Sequence, residues 1–495
     1  MAARCLARLV PLLLAGGAGA CSLTAVDFTP CEHNAECRDA FGWGHVCNTE
    51  GLCDQAPTPS RCRKTIPEDL LQDPQAYADR LLVGSVYDDV AFDLEEKSIE
   101  LAIRQANDAE GLQGQLFGYV HCTNVEGSFD ELDQETANVE MARYLAEQIG
   151  VPALVGPASS GRTEAAYVAL AGTDTLIISP SATSPALTAL DGLSPSDASP
   201  GLLWRTAPPD SLQGVAIAVD MEQRGVTQVA VIHQSGPYGE GLAEAFANAF
   251  GGQVDLYAFD DASLRDEQIV DAGAQLAAVA APDVAEALFI SSEKSDTVAF
   301  LNGIGTNPDY GAVGLFLPDG GFDVAIFEQA TEGASRFDAV RGSRPSPADT
   351  ESLTYKAFVS AFSSAYGESP ETSGFTPYAF DASWLVIYGM AWSQLRTGRL
   401  SGTGIAQGLR RVSDGEALPI RPTSWPSVVA NFGAGRGIDV EGASGALDYD
   451  PLTEETVSPI DLWYFDGATG ELATLCTLLP GQETEALCPG WPGSM

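Results

Sequence analysis

Two loops rich in hydroxyl side chains lie within the segment Ala153–Thr188. In the first, Ser159, Ser160 and Gly161 follow an apolar strand and stand where a helix begins. Unpaired backbone N–H groups and the positive end of the helix dipole attract an anion at such a position, and a serine hydroxyl adds a donor. The first loop therefore predicts an anion site, although the same hydroxyls could serve only as helix caps.

The second loop, from Ser179 to Pro185, repeats this arrangement. Ser184 is suited to cap a helix, with Pro185 at the first helical position. Ligands of open α/β sheets bind outside the carboxyl ends of the strands, where both loops are expected. We therefore expect the two loops to lie side by side and to hold one ligand.

The surrounding sequence predicts the elements that position these loops. From Leu81 onwards, apolar strands such as LLVGSVY alternate with helical segments such as Asp93–Asp108, which is typical of parallel βαβ units. A second alternating series begins with the predicted helix Ser211–Arg224. The fold class predicted is α/β, with two open, mostly parallel sheets flanked by helices. No internal repeat of 20–50 residues is present, which excludes solenoids and propellers.

Composition narrows the possible functions. The 495 residues are 45% hydrophobic and 19% charged, which is typical of a globular protein. With 25 Lys+Arg against 68 Asp+Glu, the net charge is −43, so a nucleic-acid partner is not expected. The sequence has only four histidines and no HExxH, GxSxG, SxxK or P-loop motif. We therefore expect no enzyme activity, cofactor or metal, and keep a hydrolase only as an alternative.

Four blocks together resemble a known family: Ala153–Thr188, Leu203–Gly214, Val229–Phe246 and Gly314–Gly321. Over roughly residues 80–480 the sequence resembles the type I periplasmic solute-binding proteins, specifically the receptors for leucine, isoleucine, valine and amides that feed ABC importers. The resemblance implies two lobes joined by crossing hinge strands, with the ligand held in the cleft between them.

The resemblance also implies a site for a zwitterion. Ser160 matches a serine that holds the α-carboxylate of the ligand, and Thr183 matches a threonine that does the same from the next loop. Ser181 matches a position whose carbonyl accepts from the α-ammonium group. Ser159, at the same corner as Ser160, is included in the expected ligand-binding set.

Three further positions of that site belong to the second lobe. Asp319 matches an acid, usually Glu, that pairs with the ammonium group. Tyr238 matches an aromatic residue that covers the ligand. Glu293 falls where the family often has Tyr, so it could select a second positive group or could simply be solvated.

The family's lobes imply a division of this chain. The expected ranges are 80–206 and 341–428 for lobe 1, 207–340 and 429–480 for lobe 2, and 481–495 for a tail.

The N-terminus has the pattern of an export signal. Its apolar run, Leu9–Ala20, is too short to span a bilayer, which takes about 20 residues. Ala18-Gly19-Ala20-Cys21 resembles a bacterial lipoprotein signal, which implies removal of residues 1–20 and a lipid on Cys21; an ordinary signal peptide is the alternative. Ser22 implies the outer membrane more than the inner one. The expected location is the periplasm or cell envelope, with membrane contact through the lipid alone.

Cysteine usage also indicates an oxidising compartment. Cys31, Cys37, Cys47 and Cys53 form a compact group in the range 21–53, which we interpret as a disulfide-stapled module followed by a linker at 54–79. A zinc site is the alternative, because histidines lie nearby, but no CxxC pair is present. Three disulfide connectivities are possible.

The remaining cysteines are interpreted through the resemblance. In the leucine-binding relatives, a Cys at the position of Cys122 bonds to a Cys where this sequence has Ser159. Cys122 must therefore pair elsewhere, and Cys62 is the candidate. Cys476 and Cys488 could staple the tail.

The function predicted is that of a lipid-anchored extracytoplasmic protein that binds an amino acid or a similar zwitterionic or amide solute. Its expected partners are this small molecule and an ABC permease. A sensory or scaffold lipoprotein that uses the same cleft without transport is the main alternative.

Overall fold

The computed structural model describes residues 30–127, 129–192, 194–260, 266–278, 284–311, 313–347, 349–481 and 488. The predicted signal peptide, the predicted lipidation site Cys21 and most of the predicted tail lie outside these residues. Within them, two large α/β lobes follow a small N-terminal module, which confirms the predicted fold class. The described helices include none with the length and apolar character needed to cross a membrane.

Two disulfides hold the N-terminal module together. Cys31 bonds to Cys47 and Cys37 bonds to Cys53. All four sulfurs are thus used in covalent bonds, which selects one of the three connectivities and leaves no thiolate for zinc. The elements of the module are α1 (Asn34–Phe41), β1 (His45–Cys47) and β2 (Cys53–Gln55).

The module is docked on the end of a helix of the first lobe. The side chains of Asn34 and Arg38 both donate hydrogen bonds to the carbonyl of Glu147, and Trp43 Nε1 donates to the carbonyl of Tyr77. Carbonyls in the last turn of a helix lack intrahelical donors, and a cation there complements the helix dipole. The module therefore supplies the cap that this helix end requires.

A six-stranded sheet forms the centre of the first lobe, in the spatial order third, fifth, fourth, sixth, seventh and eighth strand of the chain. The strands are β3 (Lys64–Ile66), β4 (Leu81–Tyr87), β5 (Phe117–Thr123), β6 (Ala153–Val155), β7 (Leu176–Ser179) and β8 (Leu203–Arg205). Helices cover both faces: α2 (Asp93–Asp108), α3 (Gln134–Arg143), continued by a π-helical turn (Tyr144–Ile149), and α4 (Ser160–Ala169). All seven residues of β4 are consequently buried, with Val83 in the core on one face and Leu82 in the core on the other.

Residues expected to be linker contribute to this sheet. β3 pairs antiparallel with β5, so residues 64–66 form an edge strand rather than a free connection. A disulfide between Cys62 and Cys122 ties the same segment to the end of β5. The range 54–79 is therefore partly a structural element of the first lobe.

The chain then builds most of the second lobe. The helices are α5 (Asp210–Gln223), α6 (Pro237–Ala249), α7 (Asp266–Ala277), α8 (Lys294–Thr306) and α9 (Val324–Gln329). The strands are β9 (Gln228–Gln234), β10 (Gln253–Phe259), β11 (Ala285–Ile290), β12 (Gly314–Leu317) and β13 (Val340–Pro345). These five strands run parallel in the order β10-β9-β11-β12-β13.

After β13 the chain returns to the first lobe. Its elements are α10 (Leu353–Tyr366), α11 (Thr376–Thr397), α12 (Gly402–Leu409), β14 (Glu416–Pro419), α13 (Trp425–Gly433) and β15 (Ile438–Glu441). Helix α11 is apolar on nearly every side and almost wholly buried, because the other helices of the lobe pack around it.

Two strands, β16 (Ile460–Asp466) and β17 (Glu471–Leu478), close the second lobe. They extend its sheet to seven strands by antiparallel pairing next to β13. Cys476 is bonded to Cys488. Short 3₁₀ helices lie at Pro74–Tyr77, Pro185–Ala189, Pro308–Tyr310, Asp319–Gly321, Thr331–Ala339, Pro370–Thr372 and Pro422–Ser424.

Two expected lobe boundaries are wrong. The first lobe does not resume at residue 341, because β13 is hydrogen-bonded between β12 and β16 in the second sheet. The second lobe does not resume at residue 429, because Ile438, Leu447 and Tyr449 pack in the first-lobe core. The crossings therefore fall after Pro345 and after Tyr449.

Candidate ligand-binding cleft

A small cavity of about 40 Å³ lies between the two lobes. Each lobe provides part of its wall, and Phe92 and Phe375 add aromatic rings. The complete lining is Phe92, Ala158, Ser159, Ser160, Ser181, Tyr238, Ser292, Asp319, Gly320 and Phe375. Because the wall comes from both lobes, a molecule in this cavity would contact both at once.

The two hydroxyl-rich loops lie side by side in the first-lobe wall. Ser160, the first residue of α4, accepts a hydrogen bond at Oγ from the backbone N–H of Ser184 over 3.1 Å. Ser181 Oγ donates to the carbonyl of Ala158 over 3.0 Å. Ser159 caps α4 by accepting from the N–H of Arg162. The N-terminus of α4 and its serines therefore face the cavity.

Thr183 is placed differently from the expectation. Its side chain is fully buried, does not line the cavity, and donates to Asp210 Oδ2 over 2.9 Å. Its hydroxyl is thus used inside the protein, behind the wall. The geometry gives Thr183 the role of positioning Asp210 rather than of touching a ligand.

The second-lobe wall presents a carboxylate held by two neutral donors. Asp319 Oδ1 accepts from Tyr238 Oη over 2.7 Å and from Gln213 Nε2 over 2.6 Å. Burial raises the pKa of Asp319, while these two hydrogen bonds act in the opposite direction. Tyr238 stands in the first turn of α6, after Gly236, whose φ of 97° is a conformation that favours glycine.

A second acid, which the sequence analysis did not single out, lies behind this wall. Asp210, the first residue of α5, is 1% exposed, and its Oδ1 has no hydrogen-bond partner among the described residues. Burial and the charge of Asp319 raise the pKa of Asp210 well above its usual range. The sequence did contain a signal for this acid, the three-residue spacing of Asp210 and Gln213. Residues three apart share one face of a helix, so both side chains could point to the same site.

Glu293 does not line the small cavity. It borders a larger groove of about 980 Å³ outside it, where Glu293 Oε1 accepts from Arg162 Nη2 over 2.8 Å. Arg162 also donates to Gln134 and Glu135 of its own lobe. Glu293 is therefore paired across the mouth of the cleft, and neither expected role describes this contact.

The lobes meet at other points around the cavity. Ser184 Oγ of the first lobe donates to the carbonyl of Pro237 over 2.6 Å. Lys294 Nζ of the second lobe donates to the carbonyl of Ala91 over 2.6 Å. Because these contacts join the two lobes around the cavity, the lobes are in a closed arrangement.

The chemistry of the lining suits recognition of an organic ligand. Hydroxyl groups and a helix N-terminus on one wall can bind a negative group, and a carboxylate on the other can bind a positive one. Within the described ranges, the cluster of potential metal ligands is Cys31, Cys37 and Cys47, all of them in disulfides.

Comparison with known proteins places this geometry in context. The family model for periplasmic binding proteins matches residues 90–426. The chain is 26% identical over 364 residues to the chemotactic signal transduction system substrate-binding protein BasB of Halobacterium salinarum, covering 72% of this chain and 79% of that protein.

Two solved structures share the fold. One is the branched-chain amino acid transporter substrate-binding protein LivJ of Streptococcus pneumoniae in complex with isoleucine, with a TM-score of 0.59 and 20% identity over 80% of this chain and 99% of that one. The other is the leucine-binding protein LivK of Thermotoga maritima, with a TM-score of 0.61 and 16% identity over 81% of this chain and 99% of that one.

Proposed function

Because the chain belongs to the periplasmic binding protein family, we propose that it captures an amino acid or a similar small zwitterionic or amide solute in the cleft between its lobes. One observation carries this proposal. The serines at the N-terminus of α4 lie on one side of the cavity, and Asp319 lies on the opposite lobe. A zwitterion satisfies both walls at the same time.

In this arrangement the carboxylate of the ligand binds at Ser159 and Ser160, where the positive end of α4 is exposed to it. The ammonium group binds beside Asp319. The rings of Phe92, Tyr238 and Phe375 contact the hydrocarbon part. Charge-assisted hydrogen bonds in a site that excludes water are stronger than neutral ones, so both charges contribute to selectivity.

The cavity is small while the lobes are closed. Its volume of about 40 Å³ has room for only a few water molecules, so its walls must move apart to hold an amino acid. The closed lobes must also separate before a ligand can enter. The lobes then close around the ligand by a hinge motion. The contacts that the ligand makes with both lobes only in the closed state provide the free energy for this closure.

We propose that the protein, anchored by its lipid in the periplasm, delivers the captured solute to an ABC permease. The structural neighbour LivJ supports it, since its name describes a transporter component. Sensing is the second candidate, favoured by the chemotactic relative BasB. Transport and sensing differ in the partner that binds the closed form of the protein. A permease that co-purifies with the protein would favour transport.

The ligand can be identified with the mature chain. Native mass spectrometry of protein purified without denaturation should reveal a retained small molecule, and calorimetry against the standard amino acids and their amides should rank the candidates. Asp319→Asn should abolish or strongly weaken binding, whereas Ser364→Ala, on the exposed surface of α10, should not. Binding of benzoate, which has no ammonium group, in preference to every amino acid would contradict the proposal.

A further inference from the structure

Two carboxyl groups stand one behind the other at the second-lobe wall. Asp319 lines the cavity, and Asp210 lies deeper, with 7% and 1% of their surfaces exposed. Asp210 and Gln213 share one face of α5, and Gln213 Nε2 binds Asp319 Oδ1 over 2.6 Å. Helix α5 thus brings the second acid close to the ligand-facing one.

The groups around this pair leave its charge uncompensated. Neither Asp210 nor Asp319 forms an ion pair with a described residue. The cation that acts on Asp210 is Arg205, whose Nε binds Glu455 over 3.0 Å and whose Nη1 binds the carbonyls of Ala182 and Ser184. The hydrogen-bond donors to the pair are neutral: the Thr183 hydroxyl, the Gln213 amide, the Tyr238 hydroxyl and the N–H groups of Asp319 and Gly320.

The hydrogen bonds distinguish the two acids. Asp319 receives two side-chain donors at one oxygen, as an ionised carboxylate would. Asp210 receives one side-chain donor, from Thr183, and its Oδ1 is buried without a partner. Two buried carboxylates close together cannot both ionise at low cost, since each disfavours the charge of the other.

We propose that Asp210 and Asp319 carry one proton between them in the unliganded protein and release it to solvent when the ammonium group of a ligand binds beside Asp319. This inference rests on the proposed function. The ammonium keeps its own protons, the O–H bond of the protonated carboxyl breaks, and the proton passes to the buffer. The pair changes from a charge of −1 to −2, and the bound cation stabilises the second negative charge.

Proton release makes binding depend on pH. Below the apparent pKa of the pair, the affinity for an amino acid should rise by up to about tenfold per pH unit, and above it the affinity should level off. A ligand without a positive group gains nothing from the second ionisation. Asp210 is therefore a specificity-determining residue that acts through Asp319 without touching the ligand.

The proton can be tested without any ligand. Infrared difference spectra between wild type and Asp210→Asn at neutral pH should show the carbonyl stretch of a neutral carboxylic acid in the wild type alone. Asp381→Asn provides the matched control, because Asp381 is another fully buried acid, on α11 in the first lobe. It should remove a different band or none, and leave the Asp210 signal in place. Absence of any band that depends on Asp210 or Asp319 overturns the proposal.

Release is tested by calorimetry with the standard amino acids in two buffers of different ionisation enthalpy. Wild type should release up to about one proton per bound amino acid, and Asp210→Asn should release almost none, while Asp381→Asn should behave as wild type. If wild type binds an amino acid with no net proton release across the neutral range, the proposal is wrong although the proposed function stands. If no amino acid binds while the infrared band is present, the proposed function has failed instead.

Discussion

Arg162 of the first lobe and Glu293 of the second meet across the mouth of the cleft, with Nη2 and Oε1 2.8 Å apart. Arg162 stands in the first turn of α4, two positions after Ser160 of the cavity wall, and Glu293 stands immediately before α8. The pair exists only while the lobes are together. It therefore stabilises the closed form whichever ligand is inside.

Removing this charge pair should speed ligand release. Glu293→Gln keeps the shape of the side chain but loses the ionic contribution, which for a partly exposed pair is about 1 kcal/mol. We expect roughly fivefold faster dissociation of a bound amino acid in stopped-flow fluorescence. Glu351→Gln, in the exposed pair Glu351–Lys356, serves as control and should leave the rate unchanged. An unaltered rate in Glu293→Gln would show that the pair does not hold the lobes.

Ser160→Ala should weaken amino acid binding by about 1–3 kcal/mol, because a hydrogen bond to the ligand carboxylate is lost at the start of α4. Calorimetry measures this change directly. Since Ser160 Oγ also accepts from Ser184 N–H, the thermal midpoint must be measured alongside. A lower affinity with a nearly unchanged midpoint supports ligand contact, and an unchanged affinity rejects this site.

Asp381 should make stability depend on pH. It is fully buried at α11, and burial raises its pKa to about 7 in spite of the hydrogen bonds donated by Ala443 and Ser444. The folded pKa lies above the unfolded one, so the stabilisation is complete below about pH 4 and is lost as pH rises to about 7. Its size is on the order of a few kcal/mol.

Urea unfolding at intervals between pH 4 and pH 7 tests this dependence. Asp381→Asn should flatten the decline of the unfolding free energy, whatever its effect on the absolute value. The comparison of slopes matters, because the many surface acids also ionise in this range and are common to both proteins. Parallel slopes would contradict the expectation.

Loss of the Cys62–Cys122 disulfide should destabilise the first lobe. The bond ties the segment that carries β3 to the end of β5, and removal of a native disulfide costs about 2–5 kcal/mol. Cys62→Ser with Cys122→Ser should lower the thermal midpoint but leave the affinity for an amino acid nearly unchanged, since neither residue lines the cavity. A large loss of affinity with an unchanged midpoint would be the opposite outcome.

Much of the fold could be predicted from local sequence patterns. The apolar run Leu81–Tyr87 and the helix Asp93–Asp108 have the predicted bounds, because a buried central strand and an amphipathic helix each leave a clear pattern. Strand Val340–Pro345 leaves no such pattern, because its sequence VRGSRP contains two arginines. Its place in the second sheet is decided by pairing with β12 and β16.

In the site, too, some side chains are positioned by local sequence and others by contacts with residues far away in the chain. The serines at the start of α4 are positioned by a strand–loop–helix pattern that the sequence shows directly. The direction of the Thr183 hydroxyl depends on Asp210, 27 positions away. The contact of Glu293 depends on Arg162, 131 positions away in the other lobe. Such pairings depend on how the lobes close, which single-sequence patterns do not record.

If Cys21 carries the proposed lipid, the docked N-terminal module determines which lobe stays beside the membrane. Asn34 and Arg38 fasten it to the carbonyl of Glu147, on the first lobe. Anything attached ahead of the module is therefore carried by that lobe. With the first lobe anchored, the second lobe would be the part that moves when the cleft closes. A partner in the membrane would then detect ligand occupancy through the changed position of the second lobe.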